Sequence, residues 1–286
     1  MPVAALLAVL LAALTHSTWN LFAKRAAGAR HFVWLYSVGS VLLYLPLVLW
    51  IVLVERPHFG TPQWLALAAT SVLHTAYSLA LQAGYRTSDL SLVYPIARGT
   101  GPLLSFLGAT LLLGERPTWL AGLGLVLIVA GILLVAGLTS EPHRAPRTGI
   151  FFGLLTGVFI AAYTVNDGWA VKTLGLSPFL VDFGGNLTRV ALLAPFALRD
   201  APRVRAEART YALPAGVVSV LGPMGYILVL YAMRLAPVSH IAPARELSTL
   251  VGAYFGSRLL REQAVPARLA GAACIVVGVV SLAFAR

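Results

Sequence analysis

The sequence predicts an all-α polytopic membrane protein: ten transmembrane helices, arranged as two inverted five-helix repeats around a central cavity. Three observations predict it. First, 59% of the 286 residues are hydrophobic and only 11% are charged, whereas soluble domains average roughly 45–50% and about 25%. Second, apolar runs of roughly 20 residues, the length that crosses a bilayer as a helix, recur along the whole chain. Third, a shift of 147 residues lays 97–131 ungapped on 244–278, with Ala97/Ala244, Arg98/Arg245, Leu112/Leu259, Glu115/Glu262, Gly124/Gly271, Ile128/Ile275 and Gly131/Gly278 identical. Each copy spans five apolar runs. An odd number of crossings makes the second copy enter the bilayer upside down.

Punctuation by Pro, Gly and Arg sets the ten cores at about 3–23, 32–54, 64–85, 90–113, 119–138, 149–171, 179–198, 211–232, 238–260 and 269–285. The first begins at the N-terminus. Met1 to Leu14 carries no Lys or Arg before its apolar stretch and no clear cleavage site, so it reads as a spanning helix and not as a signal peptide. The first repeat occupies residues 1–138 and the second 149–286. The polar link between them, Thr139 to Thr148, contains two prolines and joins repeats within one bundle. Gly149, Gly153 and Gly157 form a stripe of small residues, and Gly252/Gly256 another; both are read as close internal packing in preference to a dimer seam. The chain is accordingly expected to be a monomer or a weak homodimer.

Ten crossings put both termini on one side. Loops after odd helices hold most of the Lys and Arg, including Lys24, Arg25, Arg30, Arg86, Arg199, Arg203, Arg205 and Arg209. Loops after even helices hold Arg56, Arg116, Lys172 and Arg234. The positive-inside rule alone therefore places the termini outside. The net charge of +11 is dispersed over these loops, as topology determinants are, and gives no nucleic-acid-binding patch.

Six charges lie well inside apolar runs: Arg98, Asp167, Asp182, Arg189, Arg245 and Glu246. A charge at bilayer depth needs a partner or a wet cavity. Asp182 and Arg189 are seven residues apart, on one helical face with Asn186 between them, and read equally well as a structural pair. Glu246 points away from Arg245 on its helix, toward a partner on another segment. Arg98 and Arg245 are repeat mates that follow Pro95 and Pro243, where the helix is weakened and its freed backbone groups can line a cavity. Polar and aromatic stripes at helical spacing complete a candidate binding surface: His16, Trp19 and Asn20 in helix one; His74 and Tyr77 in helix three; Tyr94 and Arg98 in helix four; Tyr163 and Asp167 in helix six. Tyr85 and Trp64 fit the interfacial aromatic belt instead.

The sequence has no Walker loop, HExxH, GxSxG or Cys/His cluster. No catalytic residue, metal site or cofactor is expected, and a primary pump is disfavoured. Cys274 is the single cysteine, so there is no disulfide framework.

Several segments carry a family likeness: His16-Ser-Thr-Trp19-Asn20, Tyr94-Pro95-Ile-Ala-Arg98, Leu113-Gly114-Glu115, Ala162-Tyr163 through Asp167-Gly168, and Leu260-Arg-Glu262. On these the chain resembles the EamA-type branch of the drug/metabolite transporter superfamily over essentially its whole length. The resemblance implies a basket of helices one, three, four, six, eight and nine, with five and ten outside. It also implies efflux of small metabolites, amino acids prominent among them, and cytoplasmic termini. That last implication disagrees with the Arg and Lys distribution.

The expected function is therefore secondary transport across a bacterial inner membrane: export of small metabolites, foremost amino acids, by alternating access. The expected partners are a small-molecule substrate, a coupling proton and the lipid bilayer. An α-carboxylate would meet Arg98 or Arg245, and an ammonium would meet Asp167. The alternatives are efflux of cationic or aromatic drugs, which two cavity arginines disfavour, and a non-transporting membrane scaffold, which would not need charges at matched depths in both repeats.

Overall fold

A computed structural model describes residues 1–26, 28–88, 90–135, 147–250 and 266–285. Most of the link at 139–148, the Gly252/Gly256 stripe, the second half of predicted helix nine and its closing Leu260-Arg-Glu262 lie outside the described residues, as does the side chain of Lys24. Helices α1 (Val3–Arg25), α2 (Phe32–Trp50), α3 (Thr61–Thr87), α4 (Leu90–Leu112), α5 (Trp119–Val135), α6 (Arg147–Lys172) and α7 (Pro178–Arg199) match the first seven predicted spans. Helix α9 (Ala212–Leu235) is the eighth, α10 (Val238–Ala244) opens the ninth, and α11 (Pro266–Phe284) is the tenth. A π-helical turn, Ile51–Glu55, continues α2. Five of these, α1, α2 with its π turn, α3, α6 and α9, are long and apolar enough to cross a membrane.

One helix was not foreseen. The stretch after α7 reads in sequence as a basic loop, but it forms α8 (Ala201–Thr210), started by Pro202 in its first turn. Its anchor is the buried carboxylate of Glu207, which accepts the backbone N–H of Arg30 (2.9 Å) and of His31 (2.8 Å) as well as Arg203 Nε (3.1 Å). Beside it, Asp200 meets the His31 ring at 3.0 Å. Burial pushes the Glu207 carboxyl upward, but the two backbone donors and Arg203 outweigh it and hold its pKa below the ordinary carboxylate value. A depressed folded-state pKa gives stability that is present above the unfolded value and is lost as pH falls through the folded one. Glu207→Gln should therefore loosen α8 at neutral pH, seen as faster tryptic cleavage at Arg203, Arg205 and Arg209. In the wild type, protection of the α8 amides from hydrogen exchange should decline as pH drops below about 4, while the variant shows no further loss there.

The two halves are related by a twofold axis in the membrane plane. On α5 and α11, Gly124 packs against the backbone of Gly278 and Gly131 against that of Gly271, so the two helices run antiparallel. Because Gly124/Gly271 and Gly131/Gly278 are repeat mates, each contact is carried into the other when the halves exchange. Only a twofold perpendicular to the helices does this. Other extensive contacts obey the same exchange: α1 on α9 is mirrored by α6 on α3, α2 on α9 by α7 on α3, and α2 packs on its own mate α7. The Gly149, Gly153 and Gly157 stripe lies against α4 at Leu92, Ile96 and Thr100, an internal seam.

The largest apolar cluster sits toward the chain termini, where Val9, Ala66, Val171, Leu230, Met233, Ile241 and Leu282 are fully buried together. Here Gly114, at φ +68°, ends α4 in a conformation that side-chain-bearing residues avoid. The turn carries Glu115 over the start of α10, where its carboxylate accepts the N–H groups of Val238 (2.8 Å) and Ser239 (2.9 Å) and meets Lys172 at 3.2 Å. This face of the bundle is closed.

Candidate functional site

Between the helices lies a cavity of about 460 Å³, lined by α1, α2, α3, α4, α6, α7 and α9 and by Arg245 and Ser248 just beyond α10. Neither α5 nor α11 contributes to it. Its outermost lining residues are Val33 and Tyr36 at the start of α2 and the exposed Gln82 and half-buried Tyr85 at the end of α3. The mouth therefore opens on the face opposite the chain termini.

Of the ten residues expected at a binding site, the structure brings nine to this cavity: His16, Trp19, Asn20, His74, Tyr77, Tyr94, Arg98, Tyr163 and Arg245. Asp167 is the exception. It lies behind the wall at 0% exposure and accepts hydrogen bonds from the Thr70 and Tyr226 hydroxyls, from Asn166 Nδ2 (3.1 Å) and from His74 Nε2 (3.0 Å). Direct contact of Asp167 with a substrate ammonium is corrected on this geometry: donors from α3, α9 and its own helix surround the carboxylate.

The repeat-mate arginines share one carboxylate. Arg98 Nε lies 2.9 Å from Glu246 Oε2, and Arg245 Nε lies 3.8 Å from Oε1; Glu246 is 1% exposed and the arginines 12% and 11%. Glu246 thus finds its main partner on another helix. Arg98 also donates to the Ser248 hydroxyl (3.0 Å), and Arg245 to the Tyr163 hydroxyl (3.1 Å). Among the described residues, these two cations meet one anion, which leaves one positive charge at the cavity surface without a counter-ion there. Across the cavity on α7, Asn186 joins Asp182 (2.9 Å) to Arg189 (3.1 Å), so that pair is internally balanced.

Aromatic rings build the wall. Tyr163 stacks on His74 at 4.0 Å between centroids, Tyr226 meets His74 edge-on at 5.3 Å, and Tyr77 meets Tyr163 at 5.7 Å. The Arg98 guanidinium covers the Tyr94 ring at 5.6 Å and that of Arg245 covers Tyr163 at 5.7 Å.

Sequence reasoning had not assigned Glu246, Ser248, Thr70, Asn166 or Tyr226 to the site. Signal existed for two of them, Glu246 as a charge inside an apolar run and Asn166 through the repeat. The same 147-residue shift sets Tyr163, Asn166 and Asp167 on His16, Trp19 and Asn20, marking Asn166 as part of a repeated polar stripe. Tyr226 falls on Leu79 and has no such counterpart.

Inverted repeats closing an apolar floor beneath a polar, aromatic cavity define a multi-pass membrane protein with a central binding chamber. The chain belongs to the EamA-like transporter family, which matches residues 3–137 and 147–284, one match to each half. The fold also matches a solved structure titled "Crystal structure of protein", with a TM-score of 0.74 and 16% identity over 98% of both chains. No curated protein sequence matches. The family is one of transporters.

Proposed function

We propose that this transporter exports small zwitterionic metabolites, amino acids foremost, by alternating access through the central cavity, as a secondary carrier of a bacterial inner membrane. The observation that supports the proposal is the positive charge that Arg98 and Arg245 leave beside the carboxylate of Glu246, the one acid they meet among the described residues. A planar guanidinium binds a carboxylate bidentately, and both forks reach cavity-lining atoms. The aromatic wall then accommodates a side chain. Export of cationic drugs is the weaker reading. It needs free aromatic faces, and Tyr94 and Tyr163 already carry arginines on theirs.

Counterflow in proteoliposomes tests the proposal. Purified protein loaded with each of the proteinogenic amino acids in turn should exchange a subset of them, and amides of the same compounds should exchange at least tenfold more slowly. Exchange of tetraphenylphosphonium with no amino-acid exchange would overturn it.

A further inference from the structure

We infer that His74, backed by Asp167, is a proton site that competes with the ammonium group of the substrate, so that export runs in exchange for an entering proton; this rests on the amino-acid reading above. Three of the donors to Asp167 are fixed in role, since the Thr70 and Tyr226 hydroxyls and the Asn166 amide each place hydrogen toward it. The remaining partner, His74 Nε2 at 3.0 Å, must also carry hydrogen to approach a carboxylate. This fixes the neutral tautomer and leaves a lone pair on Nδ1. Nδ1 has no hydrogen-bond partner among the described residues, and the 16% of the His74 side chain that is exposed faces the cavity. A lone pair can accept a proton or hydrogen-bond an ammonium, but not both at once. Mutual exclusion at one atom is what an exchanger requires.

The surroundings suit this role. His74 is faced by Tyr163 and Asp167 from α6 and by Tyr226 from α9, with Tyr77 beside it on its own helix; His16, Arg98, Asp182, Arg189 and Arg245 line the same cavity from α1, α4, α7 and the segment after α10. Tyr163 stacks on the imidazole at one end, and its hydroxyl accepts from Arg245 at the other. A zwitterion lying along that ring sets its carboxylate at the arginines and its ammonium at Nδ1. A proton on Nδ1 turns the imidazole into a cation hydrogen-bonded to Asp167, and this repels the ammonium. The site occurs once, because the repeat mates of His74 and Asp167 are Leu221 and Asn20.

The test uses whichever amino acid of the counterflow panel exchanges fastest. Adding it to wild-type protein in weakly buffered detergent should release about one proton per molecule bound, and its affinity should rise with pH. In proteoliposomes a pH gradient should drive uphill movement, about tenfold per pH unit at one-to-one exchange. His74→Gln should bind more weakly at high pH, with a flat pH profile and no proton release. Wild-type exchange that ignores the gradient and releases no proton overturns the inference while leaving the transporter reading intact. Proton release that persists in His74→Gln places the site elsewhere and also overturns it. If wild type neither exchanges nor binds any amino acid, the functional reading fails and the proton site fails with it. Should His74→Gln not fold, His74→Asn takes its place in the same proton count.

Discussion

Arg98→Ala should abolish transport of carboxylate-bearing substrates and, in the same protein, sharply lower the folded yield. The yield falls because Glu246, 1% exposed, loses its 2.9 Å partner and keeps, among the described residues, only Arg245 at 3.8 Å and the neutral Thr249 hydroxyl at 3.4 Å. Removing one member of a buried ion pair costs roughly 3–5 kcal/mol. Transport falls because one of the two forks that can receive the carboxylate is gone. Adding Glu246→Gln separates the effects: it removes the stranded charge and restores the triad to one net positive charge. Yield measured by size-exclusion chromatography should return, while exchange in proteoliposomes should not. Recovery of both would reduce Arg98 to a structural counter-ion. Arg98→Lys should fold well but transport poorly, since a point charge cannot span both Glu246 and Ser248 as the guanidinium does.

Gly131→Ala should destabilise the fold, while Gly122→Ala on the same helix should leave it unchanged or slightly stabilised. A Cβ at Gly131 would lie 2.6 Å from the Gly271 carbonyl oxygen and 2.6 Å from Ile275 Cγ1, whereas one at Gly122 meets nothing within 4 Å. The nearest obstacle at Gly131 is backbone, which cannot rotate aside, so α5 must move off α11. Overpacking of this kind costs about 1–3 kcal/mol. Relieving the helix of a glycine at an open position returns about 0.5–1 kcal/mol. The mate substitution Gly278→Ala meets the Gly124 carbonyl at 2.6 Å and should cost a similar amount. Thermal unfolding in detergent reads all three, and equal melting temperatures for Gly131→Ala and Gly122→Ala would refute the packing argument.

The fold was legible because its determinants are periodic. Apolar runs of bilayer length, prolines and glycines between them, and a shift that pairs Arg98 with Arg245 are properties of the string itself. The α8 helix escaped because its ten residues, APRVRAEART, are polar on average and carry only a weak apolar face of Ala201, Val204 and Ala208; the backbone N–H of Arg30, just before α2, donates to Glu207 and holds the helix, and these two residues are 177 positions apart. The lining of the cavity was largely visible as polar stripes on apolar helices. What lay behind the lining was not. Asp167 reads as one more polar residue on its stripe, and only the approach of Thr70 on α3 and Tyr226 on α9 turns it inward. Glu246 showed itself as a charge in an apolar run, yet its bridging of two arginines depends on α4 meeting the segment after α10.

The twofold relation is a symmetry of backbone and not of chemistry. Exchange of the halves would carry Tyr163 onto His16, Asp167 onto Asn20 and His74 onto Leu221. If the bundle inverts by trading the conformations of its halves, the two openings are not equal in energy, because the contact between His74 of the first half and Asp167 of the second has only Leu221 and Asn20 at the exchanged positions. The empty carrier then has a resting side. Like a revolving door with one weighted leaf, it returns to a preferred position between passengers, and which position that is follows from the positions at which the repeats differ.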